Sequence, residues 1–165
     1  MTPAIAQYIS RTLGALEERD PLAVLESTPE VIASRIAGRS PDQLQTRPAP
    51  DKWSVAEVLA HLSEAEIVIG YRIRLILGAN GTPIQPFDQD AWAVRYAGMP
   101  ASQSLEVFRV VRAANVALLR SLTAGQWEQY GMHAERGQES IAQIARMSAG
   151  HDLNHLKQLE SMLLP

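Results

Sequence analysis

SVAEVLAHLSEAEIVIGYRIRLILG, residues 54–78, decides the fold. Ser54-Val55-Ala56-Glu57 has the form of a capping box, in which the serine side chain accepts the N–H of the glutamate and the glutamate reaches back to the serine N–H. No proline follows before Leu77, and Val55, Leu59, Leu62, Ile69, Ile73 and Ile76 form one stripe at 100° per residue. The pattern predicts a helix over 54–77, about 36 Å long at ~1.5 Å per residue. Its longest apolar run, Ile67–Leu77, is interrupted by Arg72 and Arg74 and falls far short of the ~20 residues a membrane span needs.

Immediately downstream the character of the chain changes. Gly78, Gly81, Pro83, Pro86, Gly98 and Pro100 crowd the stretch 78–101, which reads as a long connection. At ~3.3 Å per residue an extended linker of that length can run back along the preceding helix. Helix 54–77 and the next periodic segment, 102–122, can therefore be parallel and joined by an overhand crossover, a known variant of the four-helix bundle. A third long helix is expected over 140–164, opened by the capping box Ser140-Ile141-Ala142-Gln143. Shorter helices are expected within 5–18, 21–26 and 29–37, because Asp20-Pro21 and Thr28-Pro29 each read as an N-cap followed by a first-turn proline. Ser40-Pro41-Asp42-Gln43 and Thr123-Ala124-Gly125-Gln126 are further starts. Strand signals are almost absent, and the expected class is all-α: one domain over 1–165, with an extra N-terminal helix in about 1–19 and a crossover at 79–101.

Composition narrows the function. The 165 residues suffice for one core, burying roughly 70% of the unfolded surface. Fifteen Lys+Arg against eighteen Asp+Glu give a net charge of −3, and 46% hydrophobic residues suit an ordinary soluble globule. No basic stripe interleaved with aromatics points to nucleic acid, and the N-terminus lacks the basic and apolar regions of a secretory signal, so a cytoplasmic protein with no membrane partner is expected. The absence of cysteine excludes disulfides, thiolate metal sites and a cysteine nucleophile. A metal could be held only by His, Asp or Glu.

There are four histidines. On the last helix His151 and His155, one turn apart, fall in the apolar arc of Ile141, Ile144, Ala145, Leu159, Met162 and Leu163. Two imidazoles so placed either find backbone or carboxylate partners or share a metal ion. His61 lies on the flank of the 54–77 stripe, beside Val58, Ala65 and Val68, and faces a neighbouring helix. If these two helices run antiparallel, His61 sits at the level of the pair. His133 falls in a connecting segment and reads as a non-ligand.

Lys52-Trp53-Ser54 leading into Glu57, His61-Leu62 and Glu66, with Gly150-His151-Asp152 and His155 far downstream, resembles the DinB/YfiT-like superfamily of metalloenzymes. Phe87-Asp88-Gln89-Asp90 with Trp92, and Glu135-Arg136-Gly137, are similar to members of that group too; the resemblance spans roughly 20–164. It implies an up-down-down-up four-helix bundle, a divalent metal held by His61, His151 and His155 (nickel or zinc first, iron or manganese next), and a homodimer, which the apolar Ile67 and Leu75 outside the main stripe also suggest. For activity it implies transfer of a low-molecular-weight thiol to an electrophile. A metal-dependent hydrolase using metal-bound water stays open beside it, as does a non-catalytic, stress-related metal or small-ligand binder.

Other polar residues have two readings each. Glu66, mid-stripe between Leu62 and Ile69, can pair with Arg112 on the third long helix, near Asn115, or act as a base; the buried pair is favoured. Glu57 can support His61 one turn away or only cap its helix, and Asp152 can orient an imidazole or bond a neighbouring helix. Tyr71, Arg72, Asp88, Asp90, Trp92 and Tyr96 could line a pocket above the metal or serve as anchors and solvated groups, the more frequent role of aromatic and charged residues on an irregular crossover.

Overall fold

The computed structural model describes residues 2–163. Eight helices and three short strands follow in the order α1 (Pro3–Leu16), α2 (Pro21–Ile36), α3 (Pro41–Gln45), α4 (Val55–Gly78), β1 (Thr82–Ile84), α5 (Gln89–Ala93), α6 (Ala101–Arg120), α7 (Ala124–Trp127), β2 (Tyr130–His133), β3 (Gly137–Ser140) and α8 (Ile141–Leu163). The capping boxes at Ser40, Ser54 and Thr123 all close reciprocally, and Ser140 and Gln143 exchange the same pair of bonds before α8.

Helices α2, α4, α6 and α8 make the bundle, and side-chain pairs fix its directions. Glu26 meets Arg120 and Glu30 meets Arg109, so α2 and α6 are antiparallel. Val55, Leu59 and Leu62 share one apolar cluster with Ala101, Phe108 and Leu159, while Ile73 and Ile76 share a second with Val116, Leu119, Ile141 and Ile144. Hence α4 and α6 are parallel and α8 runs against both. Arg35 donates to the carbonyl of Leu156 and Arg39 to that of Leu163, which sets α2 parallel to α8. The order is up-down-down-up, with the crossover 79–100 between the two parallel helices. Tyr96, fully buried, pins that crossover against Trp53 with ring centroids 5.7 Å apart.

Two expectations are corrected. Thr28-Pro29 does not start a helix; Pro29 lies inside a continuous α2. A proline there leaves the carbonyl four residues back without its N–H, and Arg112 Nη1 takes that carbonyl, Leu25 O, at 2.9 Å. The chain is also not free of strands: β1 pairs parallel with β2, and β2 antiparallel with β3. Pieces of three or four residues are too short to show a period of two. Helix α1 docks along α8, where Gly150 lets the backbones meet: a Cβ there would lie 2.0 Å from the Thr12 carbonyl oxygen. On the outer side of α4, Ile67 and Tyr71 are exposed. Among the described residues no helix is long and apolar enough to cross a membrane.

A charged cluster lies inside the bundle, between the two apolar clusters. Arg112, 3% exposed, donates to Asp152 at 2.5 and 3.1 Å, to Glu66 at 2.8 Å and to Leu25 O, and lies over the Phe108 ring at 4.5 Å. Asn115 bonds the other Glu66 oxygen at 2.8 Å. Burial pushes the Asp152 carboxyl up from its ordinary value, with Arg112 pulling the other way. Replacing Arg112 with Met strands two buried carboxylates, and urea denaturation is expected to show a loss of about 3–5 kcal/mol, most of it recovered when Glu66 and Asp152 are also made apolar. A loss below about 1 kcal/mol for Arg112→Met would show that the cluster contributes little.

Candidate metal centre

His61 projects from α4 and His151 and His155 from α8, and the antiparallel packing of these helices brings the three rings to one level. His61 Nε2 lies 3.0 Å from His151 Nε2, and His155 Nε2 lies 3.1 Å from the same atom. One ligand atom from each ring falls within 4.8 Å of the others, the one such group of His, Asp or Glu side chains found among the described residues. His133 is elsewhere, in β2.

Each ring is held from outside. The Trp53 ring covers His61 at 5.1 Å between centroids. His155 Nδ1 lies 2.8 Å from Gln158 Oε1, an atom that can only accept, so the His155 hydrogen sits on Nδ1 and its Nε2 carries a bare lone pair. His61 Nδ1 is buried without a partner. Three neutral imidazoles thus crowd their Nε2 atoms together, and the hydrogens available cannot satisfy all the contacts at His151. Burial pushes His61 down to about 3, helped by His155. Burial also drives His151 well below the usual imidazole range, with His155, His61 and Arg112 adding to it. His155 moves down through burial as well, against the opposing bond to Gln158.

The carboxylates expected near the rings have other duties. Glu57 caps Ser54 and pairs with Arg47; burial raises its carboxyl, and the Arg47 and Ser54 hydrogen bonds more than reverse this. It does not reach His61. Asp152 bonds Arg112 rather than an imidazole. The Glu66–Arg112 pair forms as expected, with Asp152 as a third member the sequence did not pair with it.

A cavity of about 90 Å³ opens beside His61 and His151, walled by Ala65, Ile69, Ile144 and Met147 on its apolar side. Arg72 lines it, the pocket alternative of its two readings. Tyr71 does not, since it points outward from α4 and is 62% exposed. Tyr96 is packed against Trp53, Trp92 packs on Phe87 with its ring tilted, and Asp88 and Asp90 line an adjoining recess that shares Phe87 and Gln89 with the cavity. Tyr8, Phe87, Gln89, Arg136 and Glu139 complete the wall. Sequence periodicity carries no signal for them, because α1, the crossover and the β-hairpin meet there only in the folded chain.

Against this geometry the relatives can be set. A sequence profile of the DinB superfamily matches residues 25–159. A protein of Oceanobacillus iheyensis, provisionally named a metal-dependent hydrolase, is 26% identical over 139 residues, covering 84% of this chain and 81% of its own. YfiT of Bacillus subtilis, which carries the same provisional name, is 25% identical over 162 residues, 94% of this chain and 91% of its own. The solved structure of YfiT, described as an unusual four-helix bundle topology, superposes with a TM-score of 0.79 at 24% identity over 86% of this chain and 83% of that one.

The depressed imidazoles set a pH window. In the folded chain His61 stays neutral down toward about 3 and burial holds His151 and His155 below the ordinary imidazole value, whereas unfolded imidazoles titrate near 6.5. The unfolded state therefore binds more protons in between, and the stability from neutral burial is complete above 6.5 and lost as pH falls below it. For chelated protein the urea midpoint is expected to fall on acidification through that window, with a shallower slope in His61→Leu; equal slopes would contradict the burial of a neutral ring.

Proposed function

The chain belongs to the DinB superfamily, and from that premise we propose that it is an enzyme in which His61, His151 and His155 hold a divalent ion beside a small-molecule pocket. The observation that carries the reading is the convergence of Nε2 lone pairs that hydrogen bonding alone leaves unsatisfied. Spacings of 3.0 and 3.1 Å approach the edge of about 3.3 Å in a tetrahedron built on ~2.0–2.1 Å metal–nitrogen bonds. An all-imidazole set suits nickel or zinc, then iron, better than the oxygen-preferring manganese. Three protein ligands also leave a position open, the pattern of a catalytic site. When bound, such an ion lowers the pKa of a coordinated thiol or water and so makes a nucleophile available near neutral pH.

The chain's own residues lend support to one of those two. Gln158 fixes the His155 ring and Trp53 shields His61, so the donors are oriented in advance. Ala65, Ile69, Ile144 and Met147 keep the near wall of the pocket apolar. Of the carboxylates, Glu66 and Asp152 are committed to Arg112, and Glu139, the sole carboxylate lining the cavities that touch the histidines, is held by Arg136 at 2.7 and 2.8 Å. Among the described residues no unpaired carboxylate lines those cavities. A coordinated water and a coordinated thiol both ionise without a base, and the thiol, of ordinary pKa ~8.5, needs the smaller shift, which favours it. The chain has no cysteine, so the thiol comes from solution. We assign transfer of a low-molecular-weight thiol to a small electrophile; hydrolysis is the second reading, supported by the names of the relatives.

Protein as purified, given an activated aryl halide and a panel of low-molecular-weight thiols, is expected to turn over only with a thiol, and His155→Ala is expected to lose at least about 100-fold. Ester cleavage without any thiol would replace this assignment with hydrolysis. Saturable binding without turnover of either kind would make the protein a binder rather than an enzyme.

A further inference from the structure

Arg72 lies on α4 eleven residues beyond His61, about three turns along the same helix. It is only 7% exposed, yet no carboxylate among the described residues lies within ion-pair distance of it. Its contacts are one hydrogen bond, Nη2 to the Gln85 carbonyl at 2.7 Å, and the Phe87 ring beneath its guanidinium at 5.9 Å. The other interior arginine, Arg112, holds two carboxylates, and the half-buried Arg136 grips Glu139 with two bonds. A buried cation without a counter-ion is costly, and such a group persists where something supplies the missing charge.

A second donor points to the same place. His133, 3% exposed, accepts the backbone N–H groups of Glu135 and Arg136 on Nδ1 at 3.2 and 3.3 Å. The hydrogen of the neutral ring therefore sits on Nε2, which is buried and without a partner. Arg72, His133 and Arg136 all line one cavity of about 340 Å³. Tyr8, Arg72, Phe87, Gln89 and Arg136 also wall the smaller space beside His61 and His151, so the two form adjoining parts of one site. The acidic groups nearby do not fill the role: Glu139 is taken by Arg136, and the Glu135 side chain is exposed at the rim.

We propose that this outer cavity is a carboxylate subsite, in which the Arg72 guanidinium, with the His133 Nε2–H, receives the carboxylate of an otherwise apolar small molecule whose other end reaches the three histidines. A planar carboxylate matches the fork of a guanidinium and leaves room for one further donor. The apolar remainder lies along Phe87, Ile69, Ile144 and Met147. The identity of the reacting end rests on the thiol-transfer reading; the recognition of the carboxylate does not.

The test is calorimetric titration of chelated, full-length protein with 3-phenylpropionate and with its amide, which differs only in charge. The acid is expected to bind at least about tenfold tighter than the amide. Arg72→Gln should abolish the preference and Arg72→Lys retain part of it. Equal affinities for acid and amide, no binding of the acid at about 10 mM, tighter binding of inorganic phosphate than of the acid, or a preference undiminished in Arg72→Gln would each overturn the proposal. The comparison of acid and amide on the wild type stands even if a variant fails to fold. Because no metal is present, an acid preference combined with no metal uptake would sink the metal reading alone. Repeating the titration on metal-loaded protein with 3-mercaptopropionate identifies the bearer of the carboxylate: if it is the thiol, loading raises its affinity and Arg72→Gln removes that gain; if it is the electrophile, the gain survives the substitution.

Discussion

One guanidinium joins all four bundle helices. Arg112 of α6 bonds a backbone carbonyl of α2, a carboxylate of α4 and a carboxylate of α8, all out of contact with water. Removing any one partner leaves a buried charge or carbonyl unanswered, so the alternatives to this packing are penalised more than the packing itself is rewarded. Glu66 is five residues from His61 and Asp152 is adjacent to His151. The bonds that set the register of α4 against α8 thereby also bring the histidines to one level. The same cation helps keep His151 neutral.

The site is built against the grain of folding. One buried and two half-buried imidazoles meet with few partners, and the surroundings favour their neutral forms. Gln158 and Trp53 fix ring orientation, while the carboxylates that elsewhere serve metals as ligands or bases are tied to arginines. Arg72 and His133, in the adjoining outer cavity, show the same unanswered polarity with the opposite sign. On the proposed readings, the two cavities make one pocket with an end for a metal and an end for a carboxylate.

Much of this was legible in the chain. The capping boxes named the helix starts because they are local, satisfied by groups three residues apart. The crossover followed from length, and the level of His61 with His155 from counting along two helices. Pro29 misled for a non-local reason: whether a proline interrupts a helix depends on whether another group takes the freed carbonyl, and here that group is 87 residues away. The three strands and the packing of the Trp53 ring on His61 were missed for the same kind of reason, since each depends on what the folded chain places alongside. The His155–Gln158 bond, also missed, is local, three residues apart on α8, and its spacing is a signal the sequence carries. Arg72 was one of six residues given a possible pocket role, and the fold puts it alone of the six beside the histidines; that it lacks a partner could be seen only in three dimensions.

The account rests on three imidazole Nε2 atoms meeting at the proposed metal site, and metal content tests this most directly. Untagged protein from cells supplied with nickel and zinc, analysed by elemental mass spectrometry beside the variant with alanine at positions 61, 151 and 155, is predicted to carry on the order of one equivalent of divalent metal per chain against almost none in the variant. Below about a tenth of an equivalent in the wild type, with no uptake on reconstitution, or equal loading of both proteins, would contradict it.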